Sequence, residues 1–268
     1  MDKETYLAKK QEVASIDYGR QLCLRCLRDT KSCLCQNIIP FATKCELKIL
    51  MHPKEAKKEK VGTARLASLC LKNSSIIVDV NFSKNKEVIR LLADENYFPM
   101  LLYPGDDSHN ISSAPLPSAM LKEKKLLIFV IDGTWACAKT MMRESEILHH
   151  LPRISFDVKQ ASRFVIKQQP ARFCLSTIES IYELLHNLNK WQHENLGNKH
   201  TVLLEILDKL VSFQIDCAKD PLRQSYRKGN YQVPQARPYS KKWEKWKICY
   251  EDKNYSNQRF PHGVGRRE

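Results

Sequence analysis

Four apolar runs of six residues, separated by stretches with helical periodicity, lie in the first half of the chain. They are 46–51 (ELKILM), 75–80 (SIIVDV), 99–104 (PMLLYP) and 126–131 (LLIFVI). Apolar strands that alternate with helices predict an α/β fold, in which a parallel sheet has helices on both faces. Shorter strands are predicted at 153–156 and 163–167, and helices at 2–15, 63–71, 84–94, 135–148, 176–189 and 199–218. Residues 52–62, which follow the first strand, are predicted to form a basic loop.

The charge of the chain favours a polyanionic partner. Its 268 residues include 44 Lys and Arg against 30 Asp and Glu, a net charge of +14. Residues 219–268 alone hold 13 basic and 5 acidic residues, with eight aromatic residues among them. Such a segment can hold phosphates with its cations and stack its rings on bases, and a disordered end without specific contacts is the alternative.

Two absences in the sequence bear on location. No apolar run reaches the roughly 18 residues that a membrane span needs. The first 15 residues are charged and lack the apolar segment of a secretory signal. The expected location is therefore the cytoplasm, where cysteines are thiols or metal ligands rather than disulfides.

Four cysteines lie within the stretch CLRCLRDTKSCLC, at Cys23, Cys26, Cys33 and Cys35. The spacing C-x2-C-x6-C-x-C predicts a tetrahedral metal site, because a short turn aims the first two sulfurs at one ion. Zinc in a structural role is expected, since four protein ligands leave no open position; an iron–sulfur cluster and four unrelated thiols are the alternatives. Arg25, Arg28 and Lys31 lie in the same stretch and would offset the negative charge of four thiolates.

Polar, aromatic and glycine residues follow three of the predicted strands. They are His52-Pro53, Tyr103-Pro104-Gly105 and Asp132-Gly133-Thr134-Trp135. Because parallel sheets bind ligands at the carboxyl ends of their strands, these stretches predict the site. Gly133 permits close approach of a ligand to the backbone, and Thr134 can cap the next helix. A capped turn with Trp135 in the core is the structural alternative.

A further stretch, LSTIE at 175–179, begins a predicted helix, and Ser176 and Glu179 have the spacing of a capping box. Together with the stretches above, it resembles the DTW-domain family of tRNA-uridine aminocarboxypropyltransferases. The matching pieces, in the family's order and spanning roughly residues 20–215, are the four cysteines, HPKEAKKEKVGTARL (52–66), YPG (103–105), IDGTW (131–135) and LSTIE (175–179).

The resemblance implies a SPOUT-like fold in which a deep trefoil knot forms a pocket for S-adenosylmethionine. It implies transfer of the donor's 3-amino-3-carboxypropyl group to N3 of a tRNA uridine, expected in the variable loop with the D-loop as the alternative, and release of methylthioadenosine. The predicted organisation is an N-terminal helix and zinc knob (1–40), a catalytic domain (41–218) and a basic aromatic extension (219–268), and the extension lies outside the resemblance.

Asp132 is the candidate catalytic base, and the alternative is that it only orients the donor's ammonium group. The residues expected to bind the donor are Tyr103, Pro104, Gly133, Thr134, Trp135, Leu175, Ser176, Thr177 and Glu179. Backbone N–H groups at the start of the helix near Ser176 are expected to take the donor's carboxylate. Arg65, Arg163 and Arg172 are expected to contact RNA phosphates, with a solvated surface position as the alternative for each.

Other functions fit parts of this pattern. One is a SPOUT-like RNA methyltransferase with the same donor, another is a non-catalytic zinc-containing RNA-binding module, and a third is the same transfer to ribosomal RNA. The expected partner is tRNA. No membrane and no obligate protein partner are expected, and the chain is expected to be a monomer.

Overall fold

The computed structural model of this protein describes residues 2, 4–5, 21–58, 62–105, 107–117, 121, 123–166 and 174–219. Residues 4–5 are helical, and the remainder of the predicted N-terminal helix after residue 5 lies outside the described residues. Arg172 and residues 220–268 of the basic extension also lie outside them.

The described strands form one sheet in the order β2-β1-β5-β3-β6-β4, and every neighbouring pair is parallel. Their bounds are β1 Glu46–Met51, β2 Ser74–Val78, β3 Tyr97–Leu102, β4 His109–Asn110, β5 Lys125–Asp132 and β6 Arg153–Ser155. The predicted parallel sheet is thus confirmed. The two-residue strand β4 is too short to leave an apolar pattern in the sequence.

Six α-helices with complete bounds lie in the described part of the chain. They are α1 Pro53–Lys58, α2 Thr63–Cys70, α3 Lys86–Ala93, α4 Trp135–Glu144, α5 Thr177–Lys190 and α6 Val202–Lys219. None of the helices in this part of the chain combines the length and the apolar character that crossing a membrane requires.

The central strand β5 is buried on both of its faces. Leu126, Ile128 and Val130 belong to one apolar cluster, and Leu127 and Phe129 belong to a second. Helices α2, α5 and α6 contribute buried side chains to the first cluster, and helices α3 and α4 contribute them to the second. This two-sided burial explains why the strand appears in the sequence as an unbroken apolar run.

The cysteine-rich segment 21–40, here called the cysteine knob, contains two short 3-10 helices, Thr30–Ser32 and Cys35–Asn37. Cys26, Leu34 and Ile38 of the knob belong to the same buried cluster as helices α2, α5 and α6. The knob therefore packs on the main core and has no separate core of its own.

Two local predictions are wrong. Residues 163–166 form a turn rather than a strand, because the Arg163 N–H donates to the Glu179 carboxylate at 2.6 Å while Phe164 fills the core. The predicted basic loop contains helix α1. Proline at the first helical position, followed by Lys, Glu and Ala, favours a helix there.

Candidate functional site

The carboxyl ends of β1, β5 and β3 lie side by side at one edge of the sheet, because these strands are neighbours and parallel. The His52 N–H, just after β1, donates to the Asp132 carbonyl oxygen at 3.0 Å. This bond extends the pairing of β1 and β5 by one residue. It fixes the backbone that carries Asp132.

Asp132 is the last residue of β5, and its side chain is 8% exposed. The Thr177 hydroxyl donates to Asp132 Oδ1 at 2.6 Å. Thr177 is the first residue of α5, so the carboxylate lies at the start of a helix whose free N–H groups favour negative charge. The sheet and α5 together hold this carboxylate at the strand edge.

The turn after Asp132 is built for close packing and for capping. A Cβ atom on Gly133 would lie 3.0 Å from the Cys137 Cβ and 3.6 Å from the His52 Cβ. The Thr134 hydroxyl accepts a hydrogen bond from the Cys137 N–H at 3.3 Å and caps α4. The predicted cap is confirmed, and Cys137 and His52 leave little room for a side chain at position 133.

Trp135 begins α4 and is half-buried. Next to it, the Thr134 N–H donates to Glu55 Oε1 of α1 at 3.3 Å. Glu55 thus brings a second carboxylate to the turn that follows β5.

Glu179 is 4% exposed and accepts four hydrogen bonds. Its donors are the Ser176 N–H (2.8 Å), the Ser176 hydroxyl (2.5 Å), the Ser162 hydroxyl (2.7 Å) and the Arg163 N–H (2.6 Å). These bonds tie residues 162–163 to the start of α5. With four donors on its two oxygens, this buried carboxylate fixes the start of the helix that the predicted donor site includes.

The Tyr103-Pro104-Gly105 stretch lies at the end of β3, and Tyr103 packs with the second apolar cluster. Asp132 lies two residues after Val130 in β5 and therefore on the same face of the sheet, which packs with the first cluster. Tyr103 and Asp132 thus occupy different faces of the sheet edge. Burial raises the pKa of Tyr103, against the effect of the Arg153 charge. The Arg153 guanidinium lies 5.9 Å from the centre of the Tyr103 ring.

The described arginines of the predicted RNA contact differ in their surroundings. Arg163 is exposed, and its Nη1 forms an ion pair with Asp208 Oδ2 on α6 at 3.0 Å. Arg65 is half-buried on α2. Arg163 is therefore accessible from solvent, and its guanidinium forms an ion pair with Asp208.

His52, Glu55 and Arg153 also belong to this edge. His52 lies in one of the stretches that predict the site, but none of the three was given a role there. His52 is 7% exposed, and its Nδ1 accepts the Lys54 N–H at 3.1 Å, so a neutral ring carries its proton on Nε2. The signal for His52 and Glu55 was present, since both lie in the HPKE stretch directly after a predicted strand. Arg153 had no such signal, because it begins a strand and does not follow one.

The thiol sulfurs of Cys23, Cys26, Cys33 and Cys35 all lie within 4.8 Å of one another, so the group can hold a metal ion. Two sulfur pairs are each 3.7 Å apart. Metal–sulfur bonds of ~2.3 Å in a tetrahedron place the sulfurs ~3.8 Å apart, so the cluster fits a single ion. An iron–sulfur cluster fits less well, because its thiolates bind different iron atoms.

Hydrogen bonds prepare one of these thiols for metal binding. The N–H groups of Cys26 and Arg25 lower the pKa of the Cys23 thiol to about 6. A thiolate, the form that binds metals, is then available at neutral pH.

The chain is similar in sequence to known proteins over most of its length. Residues 20–215 match the profile of the DTW domain family. Similar curated proteins are each named tRNA-uridine aminocarboxypropyltransferase 2: one from Macaca fascicularis (30% identical over 200 residues), one from Mus musculus (29% over 228) and one from Drosophila melanogaster (28% over 204).

These alignments cover 73%, 83% and 74% of this chain, in the same order. They cover 64% of the macaque protein, which is less than two thirds of its length, and 74% and 76% of the mouse and fly proteins. No solved structure matches the chain. The match to the family profile extends over most of the chain, and the protein belongs to the DTW domain family.

Proposed function

We propose that this protein transfers the 3-amino-3-carboxypropyl group of S-adenosylmethionine to N3 of a uridine in tRNA, with the variable loop as the expected position, and releases methylthioadenosine. The names of the similar proteins support a tRNA-uridine aminocarboxypropyltransferase. The identity of the donor, the acceptor atom and the position in tRNA go beyond these names and are part of the proposal. So are the cytoplasmic location and the monomeric state.

The observation that carries the proposal is a buried carboxylate at the end of the central strand, fixed by the first residue of α5. Thr177 donates to Asp132 at 2.6 Å, and Asp132 is 8% exposed. An ionised group held this firmly in a dry position can orient a cationic ligand or accept a proton with little reorganisation.

The chemistry of the donor fits these residues. S-adenosylmethionine carries two positive charges, a sulfonium and an ammonium, and one carboxylate. Asp132 and Glu55 supply carboxylates at the sheet edge, and Trp135 supplies half-buried surface beside them for apolar parts of the donor. Tyr103 and Pro104 are half-buried as well and supply such surface from the other face of the edge. The other residues proposed to contact the donor follow Asp132 or precede α5; they are Gly133, Thr134, Leu175 and Ser176.

The proposed reaction needs a base and a leaving group. The N3 proton of the uridine passes to the base, and the N3 electron pair forms the new bond to the γ-carbon of the amino-acid chain. The electrons of the carbon–sulfur bond leave with sulfur, which converts the sulfonium to a neutral thioether. Asp132 is the proposed proton acceptor, with orientation of the ammonium group as its other possible task.

Several finer features complete the proposal. A SPOUT-like arrangement with a trefoil knot shapes the pocket, and zinc occupies the four-cysteine site. Arg65 and Arg163 contact RNA phosphates, and the uridine leaves its stack to reach the sheet edge. For Arg163, the RNA phosphate competes with Asp208 for the guanidinium.

The test is mass analysis of tRNA nucleosides after incubation with the purified protein and S-adenosylmethionine. An aminocarboxypropyl adduct is expected with the parent protein, and a strong loss of product with Asp132→Asn. Asp94→Asn is a matched control, since Asp94 accepts the Asn96 N–H on an exposed turn at the opposite edge of the sheet. A methyl adduct would identify a methyltransferase, tRNA binding without product would identify a binding module, and full activity of Asp132→Asn would remove its role.

The two tasks of Asp132 separate by kinetics. If it acts as the base, Asp132→Asn lowers kcat, leaves donor affinity near the parent value and removes the acid limb of the pH–rate profile. If it orients the ammonium group, the variant weakens donor binding as well, and the acid limb remains. Donor affinity is measured by calorimetry in the absence of tRNA.

A further inference from the structure

The cysteine knob meets helix α6 through a buried arginine. Arg28 is 4% exposed, and its Nε donates to the Ser32 carbonyl oxygen at 2.8 Å within the knob. Its guanidinium carbon lies 5.8 Å from the centre of the Phe213 ring on α6. The side chain therefore sits between the knob and the last turns of the helix.

The charge of Arg28 is poorly compensated by the polypeptide. Its Nη1 atom is buried and has no hydrogen-bond partner among the described residues. Arginine stays protonated in proteins, so this is a buried positive charge rather than a neutral group. A buried cation with an unused donor needs a negative partner nearby.

The four-cysteine site is the natural source of that negative charge. Arg28 follows the ligand Cys26 by two residues in the chain. Four thiolates around one divalent ion carry a net charge of −2, which is larger than any single carboxylate supplies.

We propose that Arg28 is the charge-balancing residue of the metal–thiolate centre, and that metal binding is thereby coupled to the docking of the cysteine knob on α6. The loaded centre compensates the buried guanidinium, which in turn stabilises the thiolates. Without metal, the same arginine opposes docking. This inference is independent of the proposed reaction.

The other cations of the knob do not share this position. Arg25 and Lys31 are exposed to solvent, where water and salt screen their charges. Arg25 is closer than Arg28 to a predicted metal ligand along the sequence, because it directly precedes Cys26. It therefore serves as a matched control for charge near the cluster without burial.

The first measurement is zinc affinity of the full chain under reducing conditions, by competition with a chromophoric chelator. Arg28→Met keeps a long apolar side chain and removes the charge, and about tenfold or greater weakening is expected, typical for groups around a metal's ligands. Arg25→Met is expected to bind zinc like the parent within about twofold. Equal affinity of Arg28→Met and the parent would overturn the inference.

The second measurement separates charge balance from simple packing. Arg28→Met is expected to unfold at the same or a higher denaturant midpoint than the parent when both are metal-free, because an uncompensated cation is gone. With zinc bound, the order reverses. Equal destabilisation of both forms would instead indicate lost packing and overturn the inference.

Hydrogen exchange reports the coupling directly. In the parent, zinc is expected to slow exchange in the last turns of α6, around Phe213, and in Arg28→Met this protection by zinc is expected to be much smaller. Arg28→Lys is a second variant that retains a cation and is expected to fall between the two. Zinc-induced protection that is the same in the parent and in Arg28→Met would contradict the coupling.

Discussion

Removing the hydroxyl that holds Asp132 is the most direct test of the site. Thr177→Val keeps the shape of the side chain and deletes the hydrogen bond of 2.6 Å to Asp132 Oδ1. Because Asp132 is 8% exposed, water replaces the lost donor poorly. The carboxylate then loses a donor that holds it in place and favours its ionised form.

The size of the effect follows from this geometry. A hydrogen bond to a charged group contributes about 1.5–3 kcal/mol, and about 1.4 kcal/mol corresponds to a factor of ten. If the bond is fully used in the reaction, kcat/KM falls about 10- to 150-fold. Thr177→Ser retains a hydroxyl and is expected to recover most of the activity.

The assay is the rate of methylthioadenosine release with tRNA in excess, over a range of pH. If Asp132 is the base, Thr177→Val shifts the acid limb of the profile to higher pH, because protonation of the carboxylate becomes easier. Thr140→Val is the control, since the Thr140 hydroxyl donates to the Ala136 carbonyl within α4. Unchanged kcat/KM in Thr177→Val, or equal losses in Thr177→Val and Thr140→Val, would refute the role given to this bond.

Other predictions concern stability. Glu179→Gln is expected to lower the free energy of unfolding by about 3 kcal/mol in urea titrations, because a buried acceptor of four donors gains an amide N–H₂; exposed Glu205→Gln is its control, and equal losses would contradict the reasoning. Burial lowers the pKa of His200 in the folded protein. The stability that depends on the neutral ring is therefore fully present above about pH 6.5, the pKa of an unfolded histidine, and is lost as the pH falls through the pKa of the folded protein. His200→Asn is expected to reduce the loss of Tm between pH 7 and pH 5. Gly133→Ala is expected to cost about 1–2 kcal/mol, since the added Cβ would lie 3.0 Å from the Cys137 Cβ, and an unchanged Tm would contradict this.

The sheet was largely predictable from sequence because its inner strands are buried on both faces. Strand β1 has the predicted bounds 46–51, and β5 extends the predicted 126–131 by one residue at each end. Since a parallel sheet brings strand ends to one edge, the proximity of His52 and Asp132 also followed. The length of the apolar runs was sufficient to predict these strands and the ends that meet at the sheet edge.

What the sequence could not supply were contacts between distant segments. The turn at 163–166 looked like a strand because three apolar residues follow Arg163, yet the Arg163 N–H donates to Glu179, sixteen residues later. Similarly, Ser176 and Glu179 indicated only a local capping box, while Glu179 also accepts the Ser162 hydroxyl. Such long-range hydrogen bonds leave no periodic pattern.

The two acids at the start of α5 divide the work of the site. Glu179 lies in the first turn of α5 and accepts hydrogen bonds from residues 162–163 and from Ser176 at the helix start. Asp132 reaches the same turn from the sheet, through its bond to Thr177. Together they offset the positive end of the helix, which on its own would attract an anion. For the proposed donor, we therefore expect the ammonium or sulfonium, rather than the carboxylate, to lie beside Asp132.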